Sequence, residues 1–465
     1  MINKEAVMVL RQIICLLIFI CCTATSWATL NLQLTQGISK PIPITVLSFS
    51  GTQGLPDAMV NPTTVIKQDL RYSGHFKFVD ESLLSNLANQ PLKQFNNWGQ
   101  VQTNAVLKGR VKKLDASGHY EITFKLINVF SSKHQQKVHH DNYQVIAQDS
   151  WRFQSNKQLL DLSHKVANQV FSNLTGQTGY FNDHIAYTAV HLPDLQDNNK
   201  RDFLLGLADY DGRNKQELAH SSQPILSPTW SPGGQHIAYI DFLKDGRSAI
   251  RVINLKNHHI RTLQVTKRPL KSGLAWSPDA HYLAFAMVDN NDHSQIYVRN
   301  LVTDTSRQVT HSATDNYAPA WLDKNHLLMT SNANGSDQVY VMAWPHGKLK
   351  PLTHSSDSNT SPQASAKSKW IAVLHHEQDQ YNVQWVNRQN NAQQVLTSNN
   401  RVNSFGLAPN NLVMAYSAVN AQDKPVMHIQ PLGKNQSLVW SALSSYRLLQ
   451  PAWQPGQHSH KEVSS

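Results

Sequence analysis

Cysteine is almost absent from this sequence, and its three copies lie close to the start, at Cys15, Cys21 and Cys22. The rest of the chain has no thiol, which excludes a disulfide framework there and any metal site built on cysteine. Whatever folds beyond residue 28 must therefore be held together by packing and hydrogen bonding.

Long hydrophobic runs are also scarce. The clearest, Ile13–Cys22, follows the basic residues Lys4 and Arg11 and is about half of the ~20 residues that a bilayer span requires. Small residues follow it and end at Ala28. This pattern predicts a secretory signal peptide over residues 1–28, and export of the remaining chain to an aqueous compartment outside the cytoplasm.

Acidic residues are the minority among the charged ones. The chain has 42 Lys and Arg against 31 Asp and Glu, a formal net charge of +11. The basic residues are scattered and form no basic-aromatic run, so the charge favours acidic protein partners and argues against nucleic-acid binding. No later segment is long and apolar enough to predict a membrane-embedded protein.

Catalytic signatures are lacking as well. No Gly-x-Ser-x-Gly motif occurs, and the segment HHEQDQ (375–380) lacks the second histidine of a zinc helix and is predicted to be a loop. Asp209 and Asp211 precede a glycine, but no acid stands where a calcium loop would need it, so a β-turn is predicted. We expect no catalytic residue, no metal and no cofactor.

Residues 29–178 predict an α/β domain with helices on a mixed sheet. Apolar residues at helical spacing predict a closing helix from about Ser150 to Leu174 that includes Trp151 and is capped by Gly176. The other predicted elements are a strand in Ile42–Gly51, a helix entering a second strand in Asp57–Phe76, a helix near Asp80–Leu87, and strands at Asn104–Leu114, Tyr120–Val129 and Lys137–Ile146.

Beyond residue 181 an internal repeat replaces the helical period. An anchor such as SPTWSPGG recurs at steps of 46, 45, 43, 43 and 46 residues, and most copies precede an apolar strand. Four strands in a period of this length indicate a β-propeller blade. The tryptophans can fill the wedges between blades. The anchors are centred on Trp230, Trp276, Trp321, Ala364, Leu407 and Trp453.

The ends of the repeat predict how the ring closes. The last anchor has no strand after it, whereas the strands from His184 to about Leu218 have no anchor before them. Joining the two ends gives an all-β propeller of six blades over residues 182–456, in which a strand from about Leu448 to Trp453 completes the first blade. Residues 457–465 are predicted to be a flexible tail.

The ordered set of motifs resembles the TolB family, the periplasmic propeller proteins of the Tol-Pal envelope system. The resemblance covers nearly the whole mature chain. Besides the repeats it is carried by LTGQTGYFNDHIAYT (Leu174–Thr188), ADYDGRN (Ala208–Asn214), DLRYSGHF (Asp69–Phe76) and the final PAWQP. It implies an α/β domain followed by a six-bladed propeller, in agreement with the pattern of the residues.

The resemblance also implies function through binding. The family propeller docks the lipoprotein Pal at the channel mouth, and the N-terminal tail engages the C-terminal domain of TolA, which supports outer-membrane integrity and constriction during cell division. The implied protein is a periplasmic monomer that contacts Pal, TolA and outer-membrane lipoproteins. By position, the Pal-facing residues are Pro224, Ile225, Lys271, Ser272, Asp315, Asn316, Tyr317, Asn359, Thr360, Asn403, Ser404 and Arg447.

Two features depart from the family pattern. Leu270 stands where the family can use a histidine, so the contact from that side chain is missing. The tail TLNLQLTQG alternates Leu30, Leu32 and Leu34 with polar residues, as an edge strand that adds to a partner sheet would, but it has no acidic residue. An ordinary first strand or a frayed terminus is the alternative.

The alternative function is that of a propeller enzyme or lectin which binds a sugar or peptide in its channel. That class predicts carboxylates or aromatic platforms at the channel mouth, whereas the mouth loops are mainly Asn, Ser, Thr and Lys. The sequence therefore favours a binding protein without catalytic activity.

Overall fold

A computed structural model describes residues 40–56, 59–79, 103–129, 143–191, 201–364, 368–397, 401–434, 437–440 and 446–456. Several predictions lie outside these described residues: the signal peptide (1–28), the tail with Leu30, Leu32 and Leu34, the helix near Asp80–Leu87 and the flexible tail (457–465). Within the described residues, neither helix is long and apolar enough to cross a membrane.

In the N-terminal part, the described residues form a five-stranded sheet and two helices. The strand order is β2-β1-β3-β4-β5, with β1 parallel to β2 and β3 and the other pairs antiparallel. This is the mixed α/β sheet that the sequence predicts. Its elements are β1 (Ile42–Val46), a 3-10 turn (Thr52–Gly54), α1 (Pro62–Tyr72), β2 (Phe76–Phe78), β3 (Ala105–Lys113), β4 (Tyr120–Val129), β5 (Tyr143–Phe153) and α2 (Asn156–Thr175).

Local signals explain the helix ends. Asn61 caps α1 by accepting a hydrogen bond from the Thr63 N–H, and Pro62 occupies the first turn, where its missing N–H has no cost. Ser155 and Gln158 form a capping box at the start of α2. Gly176 ends α2 with φ 71°, as predicted, because that left-handed backbone suits glycine.

The predicted start of the closing helix is wrong. Trp151 lies in β5, where it pairs with Ile122 of β4, and α2 begins only at Asn156. The predicted strand 137–146 is confirmed over 143–146 and continues to Phe153 as β5, while residues 137–142 lie outside the described residues. The position of Trp151 fits a helical stripe and a strand alternation equally well, and only the pairing with β4 shows that the strand is correct.

The helices bury their apolar faces on this sheet. Ile66 and Leu70 of α1 and Val166 and Val170 of α2 are all fully buried. Each such side chain contributes roughly 1.5–3 kcal/mol through removal from water.

Six four-stranded antiparallel sheets follow and form the blades of the propeller. Its strands are β29 (Tyr446–Trp453), β6 (His184–His191), β7 (Asp202–Asp209) and β8 (Gln216–Ser221) in blade 1; β9 (Ile225–Trp230), β10 (His236–Phe242), β11 (Ser248–Asn254) and β12 (Ile260–Thr266) in blade 2; β13 (Leu270–Trp276), β14 (Tyr282–Val288), β15 (Ser294–Asn300) and β16 (Thr305–Gln308) in blade 3; β17 (Asn316–Asp323), β18 (His326–Ser331), β19 (Gln338–Ala343) and β20 (Lys350–Pro351) in blade 4; β21 (Ser358–Ala364), β22 (Trp370–Glu377), β23 (Gln380–Asn387) and β24 (Gln393–Val395) in blade 5; and β25 (Val402–Leu407), β26 (Val413–Val419), β27 (Pro425–Pro431) and β28 (Leu438–Val439) in blade 6.

The predicted closure of the ring is confirmed. β29 is the inner strand of blade 1 and pairs with β6, with Leu448 opposite Ala189 and Trp453 opposite Ile185. Both ends of the propeller therefore share one sheet, and the first blade depends on β29, the last strand that the structure describes.

Two of the anchor tryptophans, Trp230 and Trp321, join neighbouring blades, in keeping with the predicted role as wedges. Trp230 donates its indole N–H to the Ala452 carbonyl at 2.9 Å, and Trp321 donates to the Ala275 carbonyl at 3.1 Å. Each bond runs from the inner strand of one blade to the inner strand of the blade before it.

A glutamine makes the cross-blade bonds where two successive anchors lack tryptophan, at Ala364 and Leu407. The Gln363 amide donates to the Phe405 carbonyl and accepts from the Leu407 N–H, both at 2.8 Å. One side chain thus ties blade 5 to blade 6 with two bonds.

The two turn predictions have different outcomes. The Asp-Gly turn between β7 and β8 is confirmed, since the Gly212 N–H donates to the Asp209 carbonyl at 2.8 Å. The loop predicted at 375–380 is wrong, because His375–Glu377 end β22 and Gln380 already begins β23.

Candidate functional site

The inner strands β9, β13, β17, β21, β25 and β29 all begin at the same end of the central channel, which we call the channel mouth. The twelve residues predicted to face Pal all lie within two residues of these starts. The structure therefore gathers residues from all six blades around one ring.

Exposure divides eleven of these residues, and the side chain of the twelfth, Ser272, lies outside what the structure describes. Lys271, Asn403 and Arg447 are exposed. Pro224, Asp315, Tyr317, Thr360 and Ser404 are half-buried. Ile225, Asn316 and Asn359 are buried at 2%, 0% and 0% exposure, so their side chains hold the loops and do not face solvent. Leu270, at the departure from the family pattern, is also a core residue at 3% exposure.

The buried Asn316 belongs to a network that holds one mouth loop. Its amide donates to Gln295 Oε1 at 3.2 Å, and Thr310 Oγ1 donates to the same oxygen at 2.7 Å. The Gln295 amide nitrogen donates in turn to the Ser312 and Thr314 carbonyls. The loop before β17 is therefore fixed by side chains from inside the blade.

The next blade repeats this network around Asn359. Its amide donates to Gln338 Oε1 at 3.2 Å, and Thr353 Oγ1 donates there at 2.6 Å. The Gln-Thr and Gln-Asn separations are 15 and 21 residues in both networks. Two neighbouring loops are thus held in the same way, which fixes the rim between blades 3, 4 and 5.

Five of the six inner strands bend at equivalent positions, three residues before the anchor centre. Four residues there have left-handed backbone without being glycine, a conformation that costs roughly 1–3 kcal/mol and concentrates at functional sites. They are Ser227, Ala318, Ser361 and Gln450, with φ between 43° and 54°. Gly273 takes the same position in blade 3 with φ 102°, and a Cβ there would lie 2.7 Å from the Ala318 Cα.

Hydrogen bonds connect these bends from blade to blade. The Gly273 N–H donates to Ser227 Oγ, the Ser227 N–H to Gln450 Oε1, and the Gln450 N–H to Ser404 Oγ, at 2.7–3.0 Å. The inner walls of blades 6, 1, 2 and 3 are therefore coupled around a channel cavity of about 470 Å³.

The mouth has an acidic side. Tyr317 is half-buried, and burial together with the carboxylates of Asp337 and Asp315 raises its pKa well above its usual value. The phenol stays neutral and can donate a hydrogen bond. Lys271 and Arg447 lie on other blades, so the rim offers both signs of charge.

A second polar cluster lies between the N-terminal domain and the propeller. His164 Nδ1 of α2 lies 2.8 Å from Asp69 Oδ2 of α1, and Tyr210 donates to Asp69 Oδ1 at 2.6 Å. His164 Nε2 lies 3.8 Å from Asp211 Oδ2 in the β7–β8 turn. Burial alone would lower the pKa of His164, but Asp69 and Asp211 raise it to about 9.

This cluster fits a proton better than a metal ion. Asp69, His164 and Asp211 each offer a ligand atom within 4.8 Å of the others. However, His164 Nδ1 is already paired with Asp69, and Arg213 Nε lies 3.3 Å from Asp211 Oδ2. A cation would compete with Arg213 for that carboxylate, whereas a protonated imidazole between two carboxylates needs no further ligand.

The sequence reasoning missed this cluster, although a signal was present. Asp69 lies three residues after Ile66, on the buried face of α1, and His164 lies four residues after Leu160, on the buried face of α2. A charged residue within an apolar stripe marks a buried polar contact.

Two known families match the chain. The family described as TolB beta propeller domain matches residues 171–457, and that described as TolB amino-terminal domain matches residues 30–135. The Tol-Pal system protein TolB of Coxiella burnetii is 34% identical over 249 residues, 53% of each chain. The one from Hydrogenovibrio crunogenus is 32% identical over 228 residues, 48% of each. The chain thus spans about half the length of these curated relatives in the matched region.

Among solved structures, the crystal structure of TolB from Acinetobacter baumannii is similar with a TM-score of 0.74 and 23% identity, covering 90% of this chain and 98% of that one. This likeness supports the fold, and the propeller family covers more than half of the sequence. The chain therefore belongs to the TolB family.

Proposed function

We propose that this protein is a periplasmic adaptor of the Tol-Pal system without catalytic activity. In this proposal residues 1–28 direct export and are removed. The channel mouth binds Pal, and the N-terminal tail binds the C-terminal domain of TolA. By joining the two, the protein supports outer-membrane integrity and constriction during cell division.

The rigid ring at the mouth is the observation that carries the proposal. The loops before β17 and β21 are held by buried glutamines, and the inner strands are hydrogen-bonded to each other through side chains. A preorganised rim loses little entropy when a protein docks on it. Exposed Lys271, Asn403 and Arg447 supply its polar contacts.

The test for Pal is calorimetric titration of the mature protein with the soluble domain of Pal. We expect Lys271→Glu combined with Arg447→Glu to weaken binding at least tenfold, because both cations face the docked partner. Lys324→Glu combined with Lys348→Glu makes the same charge change on exposed turns at the far end of the blades and should leave binding unchanged. No binding of Pal by the unmodified protein at low salt would exclude this role.

The test for TolA uses the tail. We expect replacement of Leu30, Leu32 and Leu34 by serine to abolish binding of the TolA C-terminal domain, because strand addition needs side chains that fill pockets on the partner. The same variant should bind Pal normally. Unchanged TolA binding would show that the tail is not the contact.

A further inference from the structure

A cavity of about 460 Å³ lies between blades 2 and 3, at the end of the blades opposite the channel mouth. Volumes of this size are typical of ligand sites. Its walls include His236 at the start of β10, Arg261 on β12, Trp276 at the end of β13 and Leu301 after β15. We call it the blade 2–3 cleft. Because it faces away from the mouth, it is independent of the function proposed above.

The neighbouring wedge, between blades 3 and 4, contains an aromatic side chain. The Trp344 ring packs edge-on against Tyr282 and Trp321, with centroid distances of 5.2 and 5.4 Å. The Arg307 guanidinium lies 5.1 Å above the Trp344 ring, within the range of a cation–π contact. This wedge shows how the blade repeat binds an indole.

The walls of the blade 2–3 cleft occupy equivalent positions. Trp276 and Trp321 are both anchor residues, and His236 and Tyr282 lie at the starts of the equivalent strands β10 and β14. Arg261 pairs with Val252 as Arg307 pairs with Val298. Each wedge is therefore lined by the same three kinds of group: a tyrosine or histidine ring, an indole and a guanidinium.

The two wedges differ in the residue that follows the third strand of the blade. Leu301 follows β15 as Trp344 follows β19, and each donates its backbone N–H to a carbonyl in a turn of its own blade, His281 and Asn325 respectively. Leucine is far smaller than tryptophan. The cleft exists because blade 3 presents Leu301 where blade 4 presents an indole.

Trp276 also lacks the bond that Trp230 and Trp321 make. Trp230 and Trp321 are 6% and 8% exposed and donate to the preceding blade. Trp276 is only half-buried, and its Nε1 has no hydrogen-bond partner among the described residues although the atom itself is buried. An unpaired buried donor favours a ligand that brings an acceptor.

The charge of the cleft favours an anion beside the ring. Among the described residues, none that lines the cleft is acidic, whereas Arg261, His236 and His259 are basic. Asp304 lies outside, 3.3 Å from the Arg261 guanidinium. A carboxylate next to an aromatic group would therefore meet Arg261 and the two histidines without repulsion from the lining.

We propose that the blade 2–3 cleft binds an aromatic side chain flanked by carboxylates on a partner polypeptide. The ring enters between Trp276 and Leu301, where it takes the place that Trp344 has in the next wedge. The flanking carboxylates face Arg261 and His259. The site gives the protein a second docking surface, away from the channel mouth.

The experiment titrates the mature protein with the peptides Ac-Glu-Trp-Glu-amide and Ac-Glu-Ala-Glu-amide by calorimetry, with N-acetyltryptophan as a free aromatic acid. We expect the tryptophan peptide to bind at least tenfold more tightly than the alanine peptide. Leu301→Trp places the protein's own indole in the cleft and should abolish this binding while raising the Tm. Arg261→Gln should weaken binding of the tryptophan peptide at least fivefold.

Arg307→Gln is the matched control, because the wedge that it borders is already filled, and it should leave peptide binding unchanged. Equal binding of the two peptides, or full binding by the Leu301→Trp variant with a normal Tm, would overturn the proposal. Binding of N-acetyltryptophan without binding of the tryptophan peptide would also overturn it, since the ligand would then be a free aromatic acid.

Discussion

Tyr210 of the propeller donates a 2.6 Å hydrogen bond to Asp69 Oδ1, a carboxylate of the N-terminal domain that is 141 residues away in the sequence. Both side chains are buried, at 1% exposure. The Tyr210 ring also lies 5.6 Å from the rings of Tyr180 and Phe181 in the connecting segment. The N-terminal domain and the propeller therefore share one buried interface with a polar contact at its centre.

Removal of the Tyr210 hydroxyl should destabilise this interface. In Tyr210→Phe the buried Asp69 keeps only the His164 contact, and loss of a hydrogen bond to a buried carboxylate costs about 1–3 kcal/mol. The free energy of unfolding from urea titration measures the effect. Tyr381→Phe, which removes a hydroxyl from a 40% exposed side chain, is the control and should change stability by less than about 0.5 kcal/mol. Equal effects of the two variants would contradict the role of Tyr210.

The pKa of His164 predicts a loss of stability at alkaline pH. Asp69 and Asp211 raise the pKa to about 9 in the folded chain, from an ordinary value of 6.5. The protonated imidazole therefore contributes to the free energy of unfolding in full below pH 6.5, and this contribution is lost as the pH rises through 9. By linkage it amounts to at most about 3 kcal/mol.

Urea unfolding at pH 8, 9 and 9.5 tests this prediction. Burial raises the pKa of Asp183 to about 7, so the change in stability that follows from its titration is largely complete below pH 8. Buried tyrosines such as Tyr210, whose pKa is also raised, reduce stability mainly above pH 9.5, so the step between pH 8 and 9 reports chiefly on His164. The other acids that face the imidazole are Asp161 and Asp209, and burial raises the pKa of both. His164→Asn keeps a polar contact without a titratable ring. It should be less stable at pH 8 and lose the alkaline slope, and a slope as steep as in the unmodified protein would contradict the assignment.

Gln363 should be as important to the ring as an anchor tryptophan. In Gln363→Met the Leu407 N–H and the Phe405 carbonyl lose their partner, which we expect to cost about 1–3 kcal/mol because both lie between blades. The exposed Gln380→Met is the control. The Tm of each variant measures the difference, and equal values would show that the cross-blade bonds do not contribute.

The repeat could be read from the sequence because its spacing is local information. Trp230 and its five counterparts mark the inner strands, and the unmatched ends predict that the chain closes on itself, as β29 does. The helix start at Trp151 could not be read in the same way, since its strand is selected by pairing with Ile122, outside any local window.

The candidate site was predictable only in part. The positions of Lys271 and Arg447 at the mouth follow from the repeat, but the burial of Asn316 and Asn359 depends on the amides of Gln295 and Gln338, which reach the loops from the interior of the blades. The polar cluster between the N-terminal domain and the propeller was not predicted, because no repeat in the sequence relates Asp69 of the first to Tyr210 of the second.

Deletion of residues 448–465 tests the closure of the ring. The deletion removes most of β29, including the buried Leu448 and Trp453, and leaves the inner edge of β6 without a partner. Propellers depend on a closed ring to protect strand edges. We therefore expect the cooperative thermal transition of the propeller to be lost, with aggregation at low temperature. Deletion of residues 457–465 alone keeps β29 complete and should leave the Tm unchanged. An unchanged Tm in the longer deletion would mean that pairing between β29 and β6 does not stabilise the first blade.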